Sequence, residues 1–363
     1  MIDRRLITHF DWLTVSTVLT LTFIGFASVY SATHVQQPSI YHKELYWIII
    51  GLAFMVVSVI FSYSFLDSFG YVFYAASNLA LVLVYIIGSS FGGARRWIHL
   101  GFFSLQPSEI AKLALIVVLA KYFSTKSVPR RGMGIKELVV PGALMAVPFL
   151  LIAKQPDLGT AIVLWMIFWS MVAVVKIRLR TVIGLLGTLA VAAPFFWTTL
   201  KDYQKARLSS FLNPGADPLG SGYHVLQSKI AIGSGGFFGK GFTEGTQSKL
   251  MFLPEHHTDF IFAAFGEEWG LLGSLVVLTL FLTLIICGLN TASNSKDRFG
   301  FLLAFGITTM FFWQVVINLG MVSGMLPVVG VPLPFISYGG SFLITSLISV
   351  GLLLNVYMRR FIF

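Results

Sequence analysis

The chain has 363 residues, of which 56% are hydrophobic and only 11% are charged, and its formal net charge is +10. Soluble domains carry about 25% charged residues, so this composition excludes a sizeable soluble domain and indicates a polytopic membrane protein. The basic residues fall in short connections between apolar runs, which favours membrane topology over nucleic-acid binding as their explanation.

Ten apolar runs are long enough to cross a bilayer, since a spanning helix needs about 20 mostly apolar residues. The sequence predicts an all-α fold, with ten transmembrane helices forming a single membrane domain over residues 1–363. The eighth run is long enough to be tilted or broken near Glu267 and Glu268. The predicted spans are 12–32, 44–65, 70–90, 107–123, 136–153, 158–175, 181–200, 258–289, 300–320 and 341–358.

Lysine and arginine residues are distributed unequally between the two sets of connections. Thirteen fall on the side that holds both termini, and four fall in the short connections of the other side. The positive-inside bias therefore predicts that both termini are cytoplasmic. The long connection at 201–257, between the seventh and eighth spans, is then extracytoplasmic, and so are the polar motifs that follow.

Two polar motifs precede and open the fourth span. Arg95 and Arg96 can form forked hydrogen bonds to phosphate, and Trp97 suits an interfacial anchor or a stacking surface. Anchoring to acidic lipid headgroups is the alternative. In QPSEIAK, Glu109 and Lys112 are three residues apart, so they share a helix face. Two arrangements are possible. Either the two side chains form a mutually satisfied ion pair, or Lys112 faces a polar cavity that holds an anionic ligand.

Further acids lie at the ends of later spans. Asp157 opens the sixth span, and Glu255 and Asp259 precede the eighth in LPEHHTDFIF. An acid near a helix N-terminus can simply complement the helix dipole. Glu267 and Glu268 follow inside the same apolar run, however, and ionisable residues in membrane segments are functional candidates by default. Asp259 is therefore the strongest candidate, with Glu255 as a cap or supporting acid.

Two other motifs fail on inspection. The segment 233–241, GSGGFFGKG, lacks glycines where nucleotide-binding loops require them, so we interpret it as a flexible turn whose backbone amides could meet a ligand. The HHTD sequence is not a zinc-hydrolase HExxH motif. His256 and His257 are adjacent, so they point in different directions on a helix and are interpreted as interface residues.

Five long blocks, in order along residues 10–358, resemble the SEDS family, the shape, elongation, division and sporulation proteins. Within the family, these sequence motifs resemble the RodA branch more than the FtsW branch. The blocks are GARRWIHLGFFSLQPSEIAKL, KQPDLGTA, NPGADPLGSGYHVLQSKIAIGSGGFFGKG, LPEHHTDFIFAAFGEEWGLLG and LPVVGVPLPFISYGGS.

The resemblance implies an enzyme that polymerises lipid II into glycan strands at the outer face of the cytoplasmic membrane during cell elongation. It implies a class B penicillin-binding protein and other elongation-complex membrane proteins as partners. The family's catalytic aspartate falls on Asp259. The acid and lysine of its QPSExxK block fall on Glu109 and Lys112, the acid of QPDLGT on Asp157, and the tryptophan of ARRW on Trp97.

The implied reaction joins a sugar hydroxyl to an anomeric carbon whose leaving group is a lipid diphosphate. An inverting displacement needs one general base, for which Asp259 is suited. It also needs cations on the diphosphate, and the candidates are Arg95, Arg96, Lys112 and Lys154. No organic cofactor is expected, although Mg²⁺ or Mn²⁺ held by acids is an option. A lipid II flippase and a non-catalytic scaffold for a transpeptidase are the alternatives.

Overall fold

Long α-helices make up most of the structure, a computed structural model. It describes residues 10–35, 37–91, 94–99, 104–126, 129, 132–184, 187–188, 198, 205, 209–211, 221–246 and 257–361. The helices are α1 (Trp12–Thr33), α2 (Pro38–Ile60), α3 (Ser64–Ile87), α4 (Pro107–Thr125), α5 (Ile135–Lys154), α6 (Leu158–Val175), α7 (Ser221–Gly235), α8 (Ile261–Ser293), α9 (Arg298–Val322) and α10 (Gly340–Met358).

Eight of these helices, all except α4 and α7, are long and apolar enough to cross a membrane. The α4 helix has a spanning length but carries Glu109, Lys112 and Lys121 along it. The seventh predicted span, 181–200, lies mostly outside the described residues. The other nine predicted spans each correspond to a helix, so the predicted all-α polytopic fold is confirmed.

Capping residues fix where several spans begin. The Asp11 carboxylate accepts a hydrogen bond from the Thr14 amide at 3.1 Å at the start of α1. Asp297 accepts one from the Gly300 amide at 2.7 Å at the start of α9. Pro107 is in the first turn of α4, where a missing amide proton costs nothing. Because these groups satisfy or remove unpaired amides, the spans begin at defined residues.

Burial separates the inner helices from the outer ones. The α4 and α10 helices are buried along most of their length, with Ile116 and Val350 completely covered. The α2 and α3 helices instead expose large apolar side chains, such as Phe54 and Val72. Exposed apolar side chains suit a surface in contact with lipid tails, which are as apolar as the side chains themselves. The polar residues described below therefore lie around the inner helices.

A small antiparallel sheet connects α3 to α4 and was not predicted. It consists of β1 (Ser89–Phe91), β2 (Ala94–His99) and β3 (Ser104–Leu105), in that order. Trp97 pairs with Ser89, and His99 pairs with Ser104. The backbone amides and carbonyls of this short connection thus satisfy one another, as buried or interfacial backbone must. The sheet fixes the direction of the ARRW segment.

The α8 helix is broken, as its length predicted. Gly270 has φ 65° and ψ −160°, a conformation that only glycine adopts without strain. The amides of Leu271 and Leu272 donate to the carbonyls of Gly236 and Phe237, at 2.9 and 3.2 Å. The break is therefore stabilised by the loop that follows α7.

The same loop satisfies the carbonyls on the other side of the break. The amides of Lys240 and Gly241 donate to the carbonyls of Glu267 and Glu268 at 3.0 and 3.1 Å. The segment 233–241, interpreted above as a flexible turn with free amides, is thus a clamp on the broken helix. Sequence inspection missed this because the partner residues lie about 30 positions further along the chain.

Candidate active site

Asp259 lies in a turn, residues 257–260, immediately before α8. The carbonyls of 257, 258 and 259 precede the helix and are each held from outside it. Their donors are the Tyr338 amide at 3.0 Å, the Ser337 hydroxyl at 2.7 Å and the Asn318 side-chain amide at 2.9 Å. Three consecutive hydrogen bonds therefore fix the backbone that carries the Asp259 carboxylate.

The donors are themselves well anchored. Asn318 is completely buried and also donates to the Val331 carbonyl at 2.8 Å. The Ser337 hydroxyl accepts from the Leu333 amide at 2.8 Å. Burial raises the pKa of the Tyr338 phenol, whose oxygen accepts a hydrogen bond from the Trp47 side chain. Asn318 and Ser337 were not singled out from the sequence, because an isolated polar residue in an apolar segment gives no indication of its partner.

A close backbone approach brings the start of α6 toward Asp259. A Cβ added to Gly159 would lie 2.6 Å from the Val329 carbonyl oxygen and 2.8 Å from that of Gly330. A Cβ added to Gly330 would in turn lie 3.3 Å from Asp259 Oδ2. The 329–330 segment thus lies between the start of α6 and the Asp259 carboxylate. The QPDLGT and TDFIF blocks, far apart in sequence, meet across this segment.

Asp157 is the N-cap of α6. Its carboxylate accepts from the Thr160 amide at 3.3 Å and the Thr160 hydroxyl at 3.0 Å. Gln106 donates to it at 3.5 Å, and Arg96 Nη1 lies 3.9 Å from Oδ1. The side chain is only 4% exposed. Asp157 therefore joins α6 to β2 and to the residue before α4, which is a supporting role.

The outer cations differ in how far the protein itself engages them. Arg96 donates to the Gln155 carbonyl at 3.3 Å and also to the Pro156 carbonyl, besides facing Asp157. Arg95 and Lys154 have exposed side chains, and Trp97 is partly buried. Arg95 and Lys154 are thus open to a ligand, whereas Arg96 is engaged by the protein itself.

Glu109 and Lys112 form a buried ion pair, with 2.7 Å between Oε2 and Nζ and both side chains 4% exposed. Lys112 Nζ also lies 5.2 Å from the centre of the Phe342 ring. Of the two arrangements considered for this motif, the structure has the ion pair. A lysine that contacts an anionic ligand would require the pair to open, since neither group is accessible.

Glu267 and Glu268 have partners of their own, away from the Asp259 turn. Glu267 Oε1 accepts from Lys240 Nζ at 2.6 Å and from the amide and hydroxyl of Thr246 at 3.0 and 2.8 Å. Glu268 accepts a hydrogen bond from the Ser31 hydroxyl. Both acids thus fasten the clamp and α1 to the broken helix.

Replacing Lys240 with methionine is expected to lower the thermal unfolding midpoint in detergent by several degrees. The change leaves the buried Glu267 carboxylate without its cation, which we estimate costs about 2 kcal/mol because Lys240 is partly exposed. Lys43, an exposed lysine on α2, provides the control as Lys43→Met. An unchanged midpoint for Lys240→Met would show that the ion pair does not stabilise the break.

Two predictions about the site remain as they were. Glu255 and His256 lie outside the described residues. No group of three or more His, Cys, Asp or Glu side chains suited to a metal ion occurs in the part of the chain that the structure describes. Mg²⁺ often binds through one or two carboxylates together with substrate phosphates, so a divalent ion held with a lipid diphosphate stays a prediction.

The fold and the site define a polytopic membrane protein with a carboxylate fixed at the start of a broken spanning helix. The profile of the FtsW, RodA and SpoVE family, described as cell cycle proteins, matches residues 11–361. The chain belongs to this family, which confirms the SEDS resemblance.

Similar proteins cover the whole length of the chain. The peptidoglycan glycosyltransferase MrdB of Escherichia coli K12 is 40% identical over 358 residues, 97% of this chain and 94% of MrdB. A second similar protein is a chain from a solved structure that describes the structural coordination of polymerization and crosslinking by a peptidoglycan synthase complex. It has TM-score 0.85 and 31% identity, and the match covers 98% of this chain and 99% of that chain. The rod shape determining protein RodA of Thermus thermophilus has TM-score 0.73 and 30% identity, covering 97% and 98%.

Proposed function

We propose that this chain is a peptidoglycan glycosyltransferase that polymerises lipid II into glycan strands during cell elongation. The observation that carries the proposal is the Asp259 turn, whose three hydrogen-bonded carbonyls fix the backbone that carries a carboxylate, across the 329–330 segment from the start of α6. A preorganised carboxylate is what proton abstraction from a sugar hydroxyl requires. The names and lengths of the similar proteins support the same activity.

The chemistry assigned to Asp259 is general-base catalysis. The acceptor sugar hydroxyl gives its proton to the Asp259 carboxylate as its oxygen attacks the anomeric carbon of the donor. The bond from that carbon to the lipid diphosphate breaks in the same displacement, and the diphosphate leaves with the electron pair. Because the family reaction converts an α linkage into a β linkage, a single inverting step with one base suffices.

The departing diphosphate needs positive charge. Arg95 and Lys154 are exposed, and we assign them the phosphate contacts. Arg96 is assigned a supporting role, since it already binds two carbonyls and Asp157. The Glu109–Lys112 pair is assigned a supporting role at the start of α4. Trp97 is suited to contact the lipid-linked substrate at the membrane boundary.

The site is proposed to face outward from the bacterial cytoplasmic membrane, with both termini in the cytoplasm. The asymmetry of basic residues supports this orientation. A class B penicillin-binding protein is proposed as the partner that crosslinks the product. The similarity to a chain of a peptidoglycan synthase complex supports a partner of this kind.

A lipid II flippase is the alternative that one structural feature favours, because broken helices are frequent in transporters. The two functions are separated by an assay of the purified protein in vesicles. The vesicles contain its partner and labelled lipid II, and a penicillin blocks crosslinking. Glycan polymer that forms in the presence of moenomycin is the expected result. Bidirectional movement of lipid II without polymer would identify a flippase. If neither polymer nor lipid II movement were observed, the chain would be a non-catalytic scaffold.

A further inference from the structure

A buried carboxyl group on α2 has no role assigned to it so far. Glu44, in the second turn of α2, is only 2% exposed. Its Oε2 atom is buried and has no hydrogen-bond partner in the part of the chain that the structure describes. Acidic side chains are almost never fully buried without a role that compensates for the lost hydration. The contacts of Glu44 therefore indicate what that role is.

The contact that Glu44 does make is with the segment before α10. The Gly339 backbone N–H faces the Glu44 carboxyl group as a donor. Trp47, three residues further along α2, shares the same helix face. Its indole hydrogen-bonds to the Tyr338 phenol, and a Cβ added to Gly340 would lie 2.7 Å from the indole ring. One face of α2 thus contacts residues 338–340.

That backbone is continuous with the residues that hold the Asp259 turn. The Tyr338 amide donates to the carbonyl of His257, and the Ser337 hydroxyl donates to that of Thr258. Gly339 is the next residue along. Glycine has a flexible backbone. A contact that holds Gly339 therefore limits how far Tyr338 and Gly340 can move.

We propose that Glu44 is a positioning residue for the Asp259 carboxylate. By accepting the Gly339 hydrogen bond, it fixes the 337–340 segment, and that segment fixes the backbone of 257–258 next to Asp259. Glu44 acts through the backbone and not on the substrate. Its effect on catalysis rests on the proposed function, whereas its effect on the mobility of the turn does not.

The test compares Glu44→Leu, which cannot accept the hydrogen bond, with Glu44→Gln, which can. In the full-length protein with its partner, Glu44→Leu is expected to lower kcat for lipid II polymerisation at least about tenfold with KM nearly unchanged, because binding is kept and alignment is lost. Glu44→Gln is expected to stay within about threefold of the unsubstituted protein. Glu44→Ala, made in case leucine prevents folding, is expected to behave like Glu44→Leu.

Hydrogen exchange supplies a readout that does not depend on activity. The amides of Tyr338 and Gly339 are expected to exchange faster in Glu44→Leu and Glu44→Ala, but not in Glu44→Gln. Ser58→Ala is the matched control, since Ser58 also lies on α2 and its hydroxyl bonds to the Met55 and Ile348 carbonyls, at 2.8 and 3.4 Å, rather than to 337–340. Its kcat and its exchange are expected to be unchanged.

Two results would overturn the proposal: unchanged kcat and exchange in Glu44→Leu and Glu44→Ala, or a Glu44→Gln protein as inactive as Glu44→Leu. The second would mean that the carboxyl group itself, rather than an acceptor for Gly339, is needed. If the unsubstituted protein made no polymer, the proposed function would fail instead. The exchange data would still decide whether Glu44 holds the turn.

Discussion

Asp259→Asn is expected to lower lipid II polymerisation by at least about 100-fold, since loss of a general base typically costs 10²–10⁴-fold. Asparagine has nearly the same shape, and the hydrogen bond from Asn318 is to the backbone carbonyl, so the turn keeps its anchors. Expression, thermal unfolding midpoint and lipid II binding should therefore stay normal. The measurement is initial polymerisation rate at saturating lipid II.

The matched control for this substitution is Asp297→Asn. Asp297 is also an acid at the start of a spanning helix, where it caps α9, and asparagine retains capping ability. Its polymerisation rate should match that of the unsubstituted protein. If Asp259→Asn polymerised lipid II at the normal rate, the carboxylate could not be the base, and Asp259 would merely complement the dipole of α8.

The second large effect is expected at the Glu109–Lys112 pair. Lys112→Met or Glu109→Met alone leaves one buried charge without its partner, which typically costs about 3–5 kcal/mol. Each single variant should therefore unfold at a markedly lower temperature and lose most activity. The double variant removes both charges and should recover stability, because well-packed apolar residues can replace a buried pair.

The activity of the double variant decides between the two interpretations of this motif. Because Lys112 contacts Glu109 and Phe342 and is hardly exposed, we expect the double variant to polymerise lipid II within about tenfold of the normal rate. Thermal unfolding and polymerisation are measured on the same preparations. A double variant that is stable but inactive would contradict a purely structural pair and would place Lys112 on the substrate.

Features with a local cause could be predicted from the sequence. The start of α4 at Pro107 follows from proline's fixed φ and missing amide proton, and the capping role of Asp157 follows from its place before an apolar run. The break in α8 followed from a run too long for one straight span. These features depend on neighbours within a few residues, which the sequence displays directly.

Features that depend on distant partners could not be predicted. Nothing near Gly270 in sequence indicates that the 236–241 loop satisfies the broken helix, and nothing near Asn318 indicates that it holds the Asp259 carbonyl. From the sequence alone, Glu44 is an ordinary polar residue at the start of the second span, and only the fold brings the Gly339 N–H toward it. In each case a buried polar group is paired through the tertiary fold, and the sequence gives only one partner at a time.

The most direct test of a polymerase centred on Asp259 is a side-by-side reaction of the unsubstituted protein and Asp259→Asn, each purified with its partner transpeptidase. Both receive labelled lipid II, moenomycin and a penicillin, and the glycan products are separated by length. Long glycan strands with the unsubstituted protein and none with Asp259→Asn are the predicted result. Equal strands from both proteins, or none from the unsubstituted protein, would contradict it.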